Sequence, residues 1–237
     1  MFKISKVETG TSKKIKQCPY AEMHIVPSHP FRMYIVGASQ SGKTNLMLFL
    51  LTKDGYYKNY FDKIFVVSPT AKKLDLTYNV LENMDYKDGK NLMFFNCDTS
   101  VLDAILEIQI ENKKDKTLVI FDDCISYQKF MRSDSLLQFS IMSRHYNISL
   151  FLLSQAYHSV PKPIRMNMSC IVYFKGSNKE QEIIYEDYCP PRYNKKEFLN
   201  KINDATDKPY SFLYIDLHIP LHGKIPRYRK NLDERLI

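Results

Sequence analysis

The chain has 237 residues, 44% hydrophobic and 25% charged, with a formal net charge of +8. This balance excludes extensive disorder, and the length suffices for one domain with a substantial apolar core. No apolar run is long enough for a membrane-spanning helix, and the Lys-containing start lacks a signal peptide's apolar segment and cleavage site, so a soluble intracellular protein without a membrane-spanning segment is expected.

Positive charge gathers at both ends, in Lys3, Lys6, Lys13, Lys14 and Lys16, then in Lys224, Arg227, Arg229, Lys230 and Arg235. Residues 1–30 therefore read as a basic N-terminal segment, 31–217 as the folded domain and 218–237 as a basic C-terminal tail. Such ends draw a polyanion by counterion release, although most charged ends are simply solvated. The five cysteines contain no C-x-x-C pair, which fits buried thiols in a reducing compartment rather than a disulfide frame or a zinc site. His218 and His222 have the spacing of a helical metal pair, but Pro220 between them disfavours the helix.

In chain order, residues 33–36 form a short apolar, β-favouring run, followed by a Gly-containing turn and an apolar stretch, 45–51, that reads as a buried helix. Further strands are expected at 63–67, 92–95, 117–121, 148–153 and 169–174, with helical patterns at 101–110 and 136–142. Strands that are apolar on both faces and alternate with helices predict an α/β fold, a mostly parallel central sheet flanked by helices. Beyond residue 174 the chain becomes more polar. A helix at 179–188, a break at Pro190 and Pro191, a helix at 194–203 and a strand at 211–216 are expected there. The polar stretch 70–90 reads as a long surface excursion.

Gly37, Ala38, Ser39, Gln40, Ser41, Gly42, Lys43 and Thr44 satisfy the pattern G-x-x-x-x-G-K-[ST] at every fixed position, between an apolar strand and an apolar helix. The glycines let successive backbone N–H groups curl around phosphate oxygens. Lys43 is placed to reach the β and γ phosphates, and the Thr44 hydroxyl to ligate Mg²⁺. Downstream, the strand at 117–121 ends in Asp122 and Asp123. Hydrolysis needs both, Asp122 to hold Mg²⁺ and Asp123 to polarise the attacking water. Asn112, Lys113, Lys114 and Asp115 imitate a guanine-reading N-K-x-D motif, but they precede the acidic strand end instead of following it, so ATP is the expected nucleotide.

Reading on, the chain gives Ser143-Arg144-His145-Tyr146-Asn147, a strand ending in Gln155, and a segment containing Arg165-Met166-Asn167. With the two motifs above, this order resembles the HerA–FtsK superfamily, and within it the poxvirus-type genome-packaging ATPases of large DNA viruses and virophages. The resemblance covers roughly residues 31–174. It implies a RecA-like P-loop NTPase core in a homo-oligomeric ring, a pentamer or hexamer, that hydrolyses ATP between subunits and drives double-stranded DNA through its centre. It further implies capsid vertex or portal proteins as partners and a place in the host cytoplasm or viral factory. Gln155 matches the family's polar sensor, and Arg144 and Arg165 are the candidates for an arginine supplied across a subunit boundary, Arg144 being favoured. One departure is Asp123, where many relatives of the wider superfamily carry Glu; the base here is one methylene shorter. Tyr127, Gln128, Lys129 and Arg132, after the acidic strand end, are candidates for gripping the DNA backbone, a solvated polar loop being the plainer reading.

Three other functions compete. A small nucleoside or nucleotide kinase would use the same phosphate loop, but no arginine-rich lid is apparent and Gln155 is left unexplained. A helicase or DNA-transfer motor of the same superfamily fits the motifs equally well, though a single domain unwinds only as an oligomer. A non-enzymatic nucleotide-gated scaffold leaves the full set of hydrolytic groups without purpose.

Overall fold

The strands Arg32–Val36, Thr117–Phe121, Ile148–Ser154 and Cys170–Phe174 are buried along their whole length. A strand with no solvent face belongs inside a sheet covered on both sides. A computed structural model of the protein describes residues 18–69, 78–82, 92–218, 227–232 and 234–235. Its elements are α1 (Pro19–Glu22), β1 (Arg32–Val36), α2 (Lys43–Thr52), β2 (Lys63–Val67), α3 (Asn79–Glu82), β3 (Leu92–Phe95), α4 (Ser100–Glu111) and β4 (Thr117–Phe121). There follow α5 (Gln128–Met131), α6 (Asp134–Met142), β5 (Ile148–Ser154), α7 (Lys162–Arg165), β6 (Cys170–Phe174), α8 (Asn178–Tyr188), α9 (Lys195–Ala205), β7 (Phe212–Asp216), β8 (Tyr228–Lys230) and β9 (Glu234–Arg235).

Among the described residues the strands form one nine-stranded sheet in the order β3-β2-β4-β5-β1-β6-β7-β8-β9. Pairing is parallel from β3 to β6 and antiparallel from β6 to β9. This is the α/β core expected from the apolar runs. Alternate residues feed two cores, Tyr34, Val119, Phe121, Leu150 and Ile171 on one face, Met33, Ile35, Leu118, Phe151 and Val172 on the other. Leu102 and Ile105 of α4, Leu136 and Phe139 of α6, Ile184 of α8 and Phe198 of α9 cover the first. Met47, Leu50 and Leu51 of α2 cover the second, together with Tyr57, Phe61 and the segment before β1. Helices α8 and α9 begin at capping boxes, Ser177 with Glu180 and Asn194 with Glu197, which satisfy the free N–H groups of the first turn.

Two expectations are corrected. Residues 218–237 are not simply a tail, because β8 and β9 continue the sheet and bury Tyr228, Arg229 and Leu232. Arg229 donates to the carbonyls of Leu232 at 2.6 Å and Ile25 at 3.1 Å, lies 3.7 Å from Asp216, and covers the Tyr214 ring at 4.3 Å. Lys230 pairs with Asp207 at 2.7 Å. A strand of three residues that buries its cation shows no apolar alternation, which is why it reads as solvated. Residues 1–30 likewise do not form one segment apart from the domain, since Cys18, Ala21 and Val26 are buried in the second core. Lys3, Lys6, Lys13, Lys14, Lys16 and Lys224 lie outside the described residues, as does all of the 70–90 excursion except 78–82. Among the described residues no helix is long and apolar enough to cross a membrane.

His29 fastens the entry to β1. Its Nδ1 lies 2.6 Å from Ser149 Oγ and its Nε2 2.9 Å from Asn147 Oδ1. Asn147 Nδ2 donates to Asp115 O and the Phe31 N–H donates to Ser149 Oγ, so a neutral imidazole with its proton on Nε2 satisfies every partner. Burial lowers the His29 pKa to about 4. Below an unfolded-state value near 6.5 the unfolded chain takes up this proton before the folded one, so stability is full above that pH and is lost as pH falls towards 4. Unfolding free energy should therefore drop by about 2 kcal/mol between pH 7 and pH 5 through this group. Denaturant titrations of the parent and His29→Gln at both pH values check it; an equal drop in both excludes His29 as the source.

Candidate nucleotide site

The phosphate-loop residues stand at the carboxyl end of β1, in the interior of the sheet between β5 and β6. The loop is tied to β5 by the Gly37 N–H, which donates to Ser154 O at 3.1 Å. A Cβ on Gly37 would lie 2.6 Å from Phe174 Cβ and 2.7 Å from Ser41 Oγ, so no side chain fits. Gly42, at φ 102°, is the N-cap of α2 in a conformation that glycine alone adopts without strain. Helix α2 thus starts at Lys43, with its unsatisfied N–H groups at the loop. Lys43 is 9% exposed, and its Nζ donates to Gly37 O and Ala38 O, both at 2.8 Å. Burial lowers its pKa, while Asp123 and Asp122 pull the other way, so the ammonium feels both carboxylates.

Asp122 and Asp123 follow β4, whose neighbours are β2 and β5. The Asp122 N–H donates to Val67 O at 3.0 Å, and its Oδ2 accepts from the Tyr78 hydroxyl at 2.5 Å. Asp123 takes a left-handed backbone, φ 55°, which aspartate tolerates better than most residues and which concentrates at functional sites. From the end of β5, Gln155 Nε2 donates to Asp123 Oδ1 at 2.8 Å. Adjacent parallel strands therefore bring Lys43, Asp122, Asp123 and Gln155 to one edge of the sheet. Beneath them Cys124 Sγ lies 2.8 Å from Cys97 Sγ and 3.3 Å from Val67 O. For a metal, this edge offers the Thr44 hydroxyl and aspartate carboxylates, hard oxygen donors suited to Mg²⁺, which keeps water and phosphate oxygens as its remaining ligands. The residues fit that ion.

The two arginines differ. Arg144 is exposed in the turn 143–146 that precedes β5, with a terminal guanidinium nitrogen 2.7 Å from His218 Nε2. Burial lowers the His218 pKa, assisted by Arg144, and a neutral ring nitrogen accepts a hydrogen bond from the guanidinium N–H. β5 has seven residues, about 23 Å at ~3.3 Å per residue, between Arg144 at its start and Gln155 beyond its end. Arg144 is out of reach of the phosphate loop of the same chain. Arg165 is 6% exposed and turned inward. It donates to Asp187 Oδ2 at 3.0 Å and Val160 O at 2.7 Å and covers the Tyr157 ring at 4.5 Å.

Asp187 also accepts from Tyr157 at 3.0 Å and pairs with Lys162 at 3.2 Å. Burial alone would raise its pKa, but these donors outweigh it and hold the carboxyl below the ordinary range. Removing one partner of a buried pair strands the other, so Asp187→Ala should destabilise the fold by about 3–5 kcal/mol in denaturant titration. A loss under about 1 kcal/mol, the scale of a surface pair, would return Arg165 to the candidates for a role between subunits.

Tyr127, Gln128, Lys129 and Arg132 are exposed around α5, which is anchored by the buried Phe130 and Met131. Gln128 Nε2 donates to Ile125 O at 2.9 Å. The sequence reading missed Tyr78, an aromatic within a polar stretch, and His218, placed in the tail. It also missed Asp187, whose pairing with Arg165 spans 22 positions and follows no helical or strand period.

The family described as Poxvirus A32 protein matches residues 22–215. The DNA packaging protein OPG160 of Monkeypox virus is 27% identical over 177 residues, 73% of this chain and 57% of that protein. Its counterpart in Vaccinia virus (strain Copenhagen) is 27% identical over the same length, 63% of that protein. The chain thus spans about three fifths of the length of these relatives. In fold it is similar to B204, the DNA-packaging ATPase from Sulfolobus Turreted Icosahedral Virus, with a TM-score of 0.57 at 16% identity over 80% of this chain and 93% of that one. The genome packaging NTPase B204 from Sulfolobus turreted icosahedral virus 2, solved in complex with ATP-gammaS, gives a TM-score of 0.58 at 15% identity over 87% of this chain and 98% of that one. The core is a RecA-like P-loop NTPase fold. With residues 22–215 matched, this chain belongs to the poxvirus A32 protein family.

Proposed function

We propose that this protein is an ATPase that packages viral DNA, acting as a ring that translocates double-stranded DNA, with each nucleotide site completed by Arg144 of the neighbouring copy. The observation that carries this reading is the arrangement on β5. Gln155 meets Asp123 beside the phosphate loop, while Arg144 stands at the opposite end of the same strand.

In this reading the backbone N–H groups of 37–44 and Lys43 bind the phosphates, and Lys43 leaves its two carbonyl partners to do so. Thr44 and Asp122 hold Mg²⁺, which when bound neutralises charge on the phosphate oxygens. Asp123 accepts the proton of the attacking water, and Gln155, bonded to that carboxylate, senses whether the water and terminal phosphate are in place. Arg144 brings a guanidinium to the charge that develops on the transferred phosphoryl group of the next copy. Lys129, Arg132, Gln128 and Tyr127 contact the DNA backbone, which requires no base reading and predicts little sequence preference. Packaging also requires a capsid vertex or portal partner.

The test is ATP hydrolysis by the full chain at rising protein concentration, with and without long double-stranded DNA. Turnover per chain is expected to climb with both. Turnover indifferent to both would sink the motor and redirect the search to a small-molecule phosphoryl acceptor.

A further inference from the structure

The strand order gives the phosphate loop two unlike flanks. β5 and β4, carrying Gln155 and the two aspartates, lie on one side of β1, and β6 and β7 lie on the other. If the terminal phosphate meets Asp123, the nucleoside of a triphosphate seated in the loop leaves towards β6 and β7. A cavity of about 400 Å³ opens on that side. It borders Gly42 and Asn45 at the start of α2, and its walls include Leu46, Phe49, Phe174, Tyr210 and Phe212.

We propose that this cleft receives the purine base of the nucleotide and that Tyr210 is the ring on which the base stacks. The assignment rests on the phosphate-loop reading above and adds to it the site and the residue for the base. Tyr210 lies between α9 and β7 and is 69% exposed. A tyrosine so exposed gains little from packing, yet its backbone is held in the left-handed region, φ 66°, a conformation that is strained for a bulky residue. Its ring also rests against the phosphate loop, since a Cβ on Gly42 would come within 3.1 Å of Tyr210 Cδ1. A planar, aromatic ligand joined to the bound phosphates suits such a ring, and Phe49, Leu46 and Phe174 add apolar surface to the cleft. Asn231, whose amide oxygen accepts from the Phe212 N–H at 3.3 Å, adds polar capacity to one wall.

The experiment is calorimetric titration of the full chain with ATP and, separately, inorganic tripolyphosphate, both with Mg²⁺. It compares the parent with Tyr210→Ala, Tyr210→Phe and Lys43→Ala. Stacking on an aromatic ring predicts that Tyr210→Ala weakens ATP about tenfold or more, that tripolyphosphate affinity stays at the parental value, and that Tyr210→Phe restores ATP binding. Equal affinity of the parent for ATP and tripolyphosphate, or a Tyr210→Ala protein that binds ATP as the parent does or loses both ligands alike, overturns the base site while leaving the phosphate loop standing. Unchanged ATP affinity in Lys43→Ala overturns the phosphate-loop reading, and the base site with it.

Discussion

Arg144→Ala is expected to lower ATP turnover by about 10³- to 10⁵-fold, the range measured for arginines that act on a phosphoryl group from across an interface. ATP affinity should stay near the parental value, because Arg144 is separated from its own phosphate loop by the length of β5. Fold stability should also hold, since the side chain is exposed and, among the described residues, its guanidinium donates to a His218 nitrogen at the surface. Mixing separates this from an ordinary active-site lesion. Copies lacking the arginine and copies lacking the base each retain what the other needs, so Arg144→Ala combined with Asp123→Asn should recover part of the activity that neither has alone. No recovery over a range of ratios, with both variants shown to assemble, would remove Arg144 from the reaction.

Asp123→Asn is expected to lower turnover by about 10²- to 10⁴-fold, the contribution of a general base, again with ATP affinity little changed. Asparagine suits this test because it too tolerates the left-handed backbone that Asp123 adopts, φ 55°. Its amide oxygen can still accept from Gln155, so only the proton-accepting carboxylate is lost. Turnover within a few-fold of the parent would mean that water is activated elsewhere in the site.

Much of this site is legible in the sequence, for definite physical reasons. β1, β4 and β5 announce themselves because they are buried on both faces and therefore mainly apolar, with polar residues such as Arg32, Thr117 and Ser154 at their ends and Ser149 within β5. The loop at 37–44 is legible because backbone curvature and phosphate charge leave few residue types admissible at Gly37, Gly42 and Lys43. Arg165 was open to misreading since a buried guanidinium and an exposed one look alike in a sequence; its partner Asp187 becomes adjacent only when α7 and α8 pack. β8 was hidden for a similar reason, because Arg229 is buried among carbonyls and the Tyr214 ring instead of facing solvent. Tyr78 and Tyr210 carry no local signal. Each gains its meaning from a neighbour more than forty positions away, Asp122 for the first and Gly42 for the second.

The place of β1 in the sheet also bears on how the protein is made. It is the earliest strand of the described chain to leave the ribosome, yet it pairs with β5 and β6, synthesised more than a hundred residues later. The signature that identifies the phosphate loop is therefore complete in the nascent chain while the loop has nothing to shape it: Gly37 awaits its bond to Ser154, and the wall provided by Phe174 comes later still. Nucleotide can stabilise only what has already closed, so during synthesis it has no folded loop to grip until residue 174 has emerged.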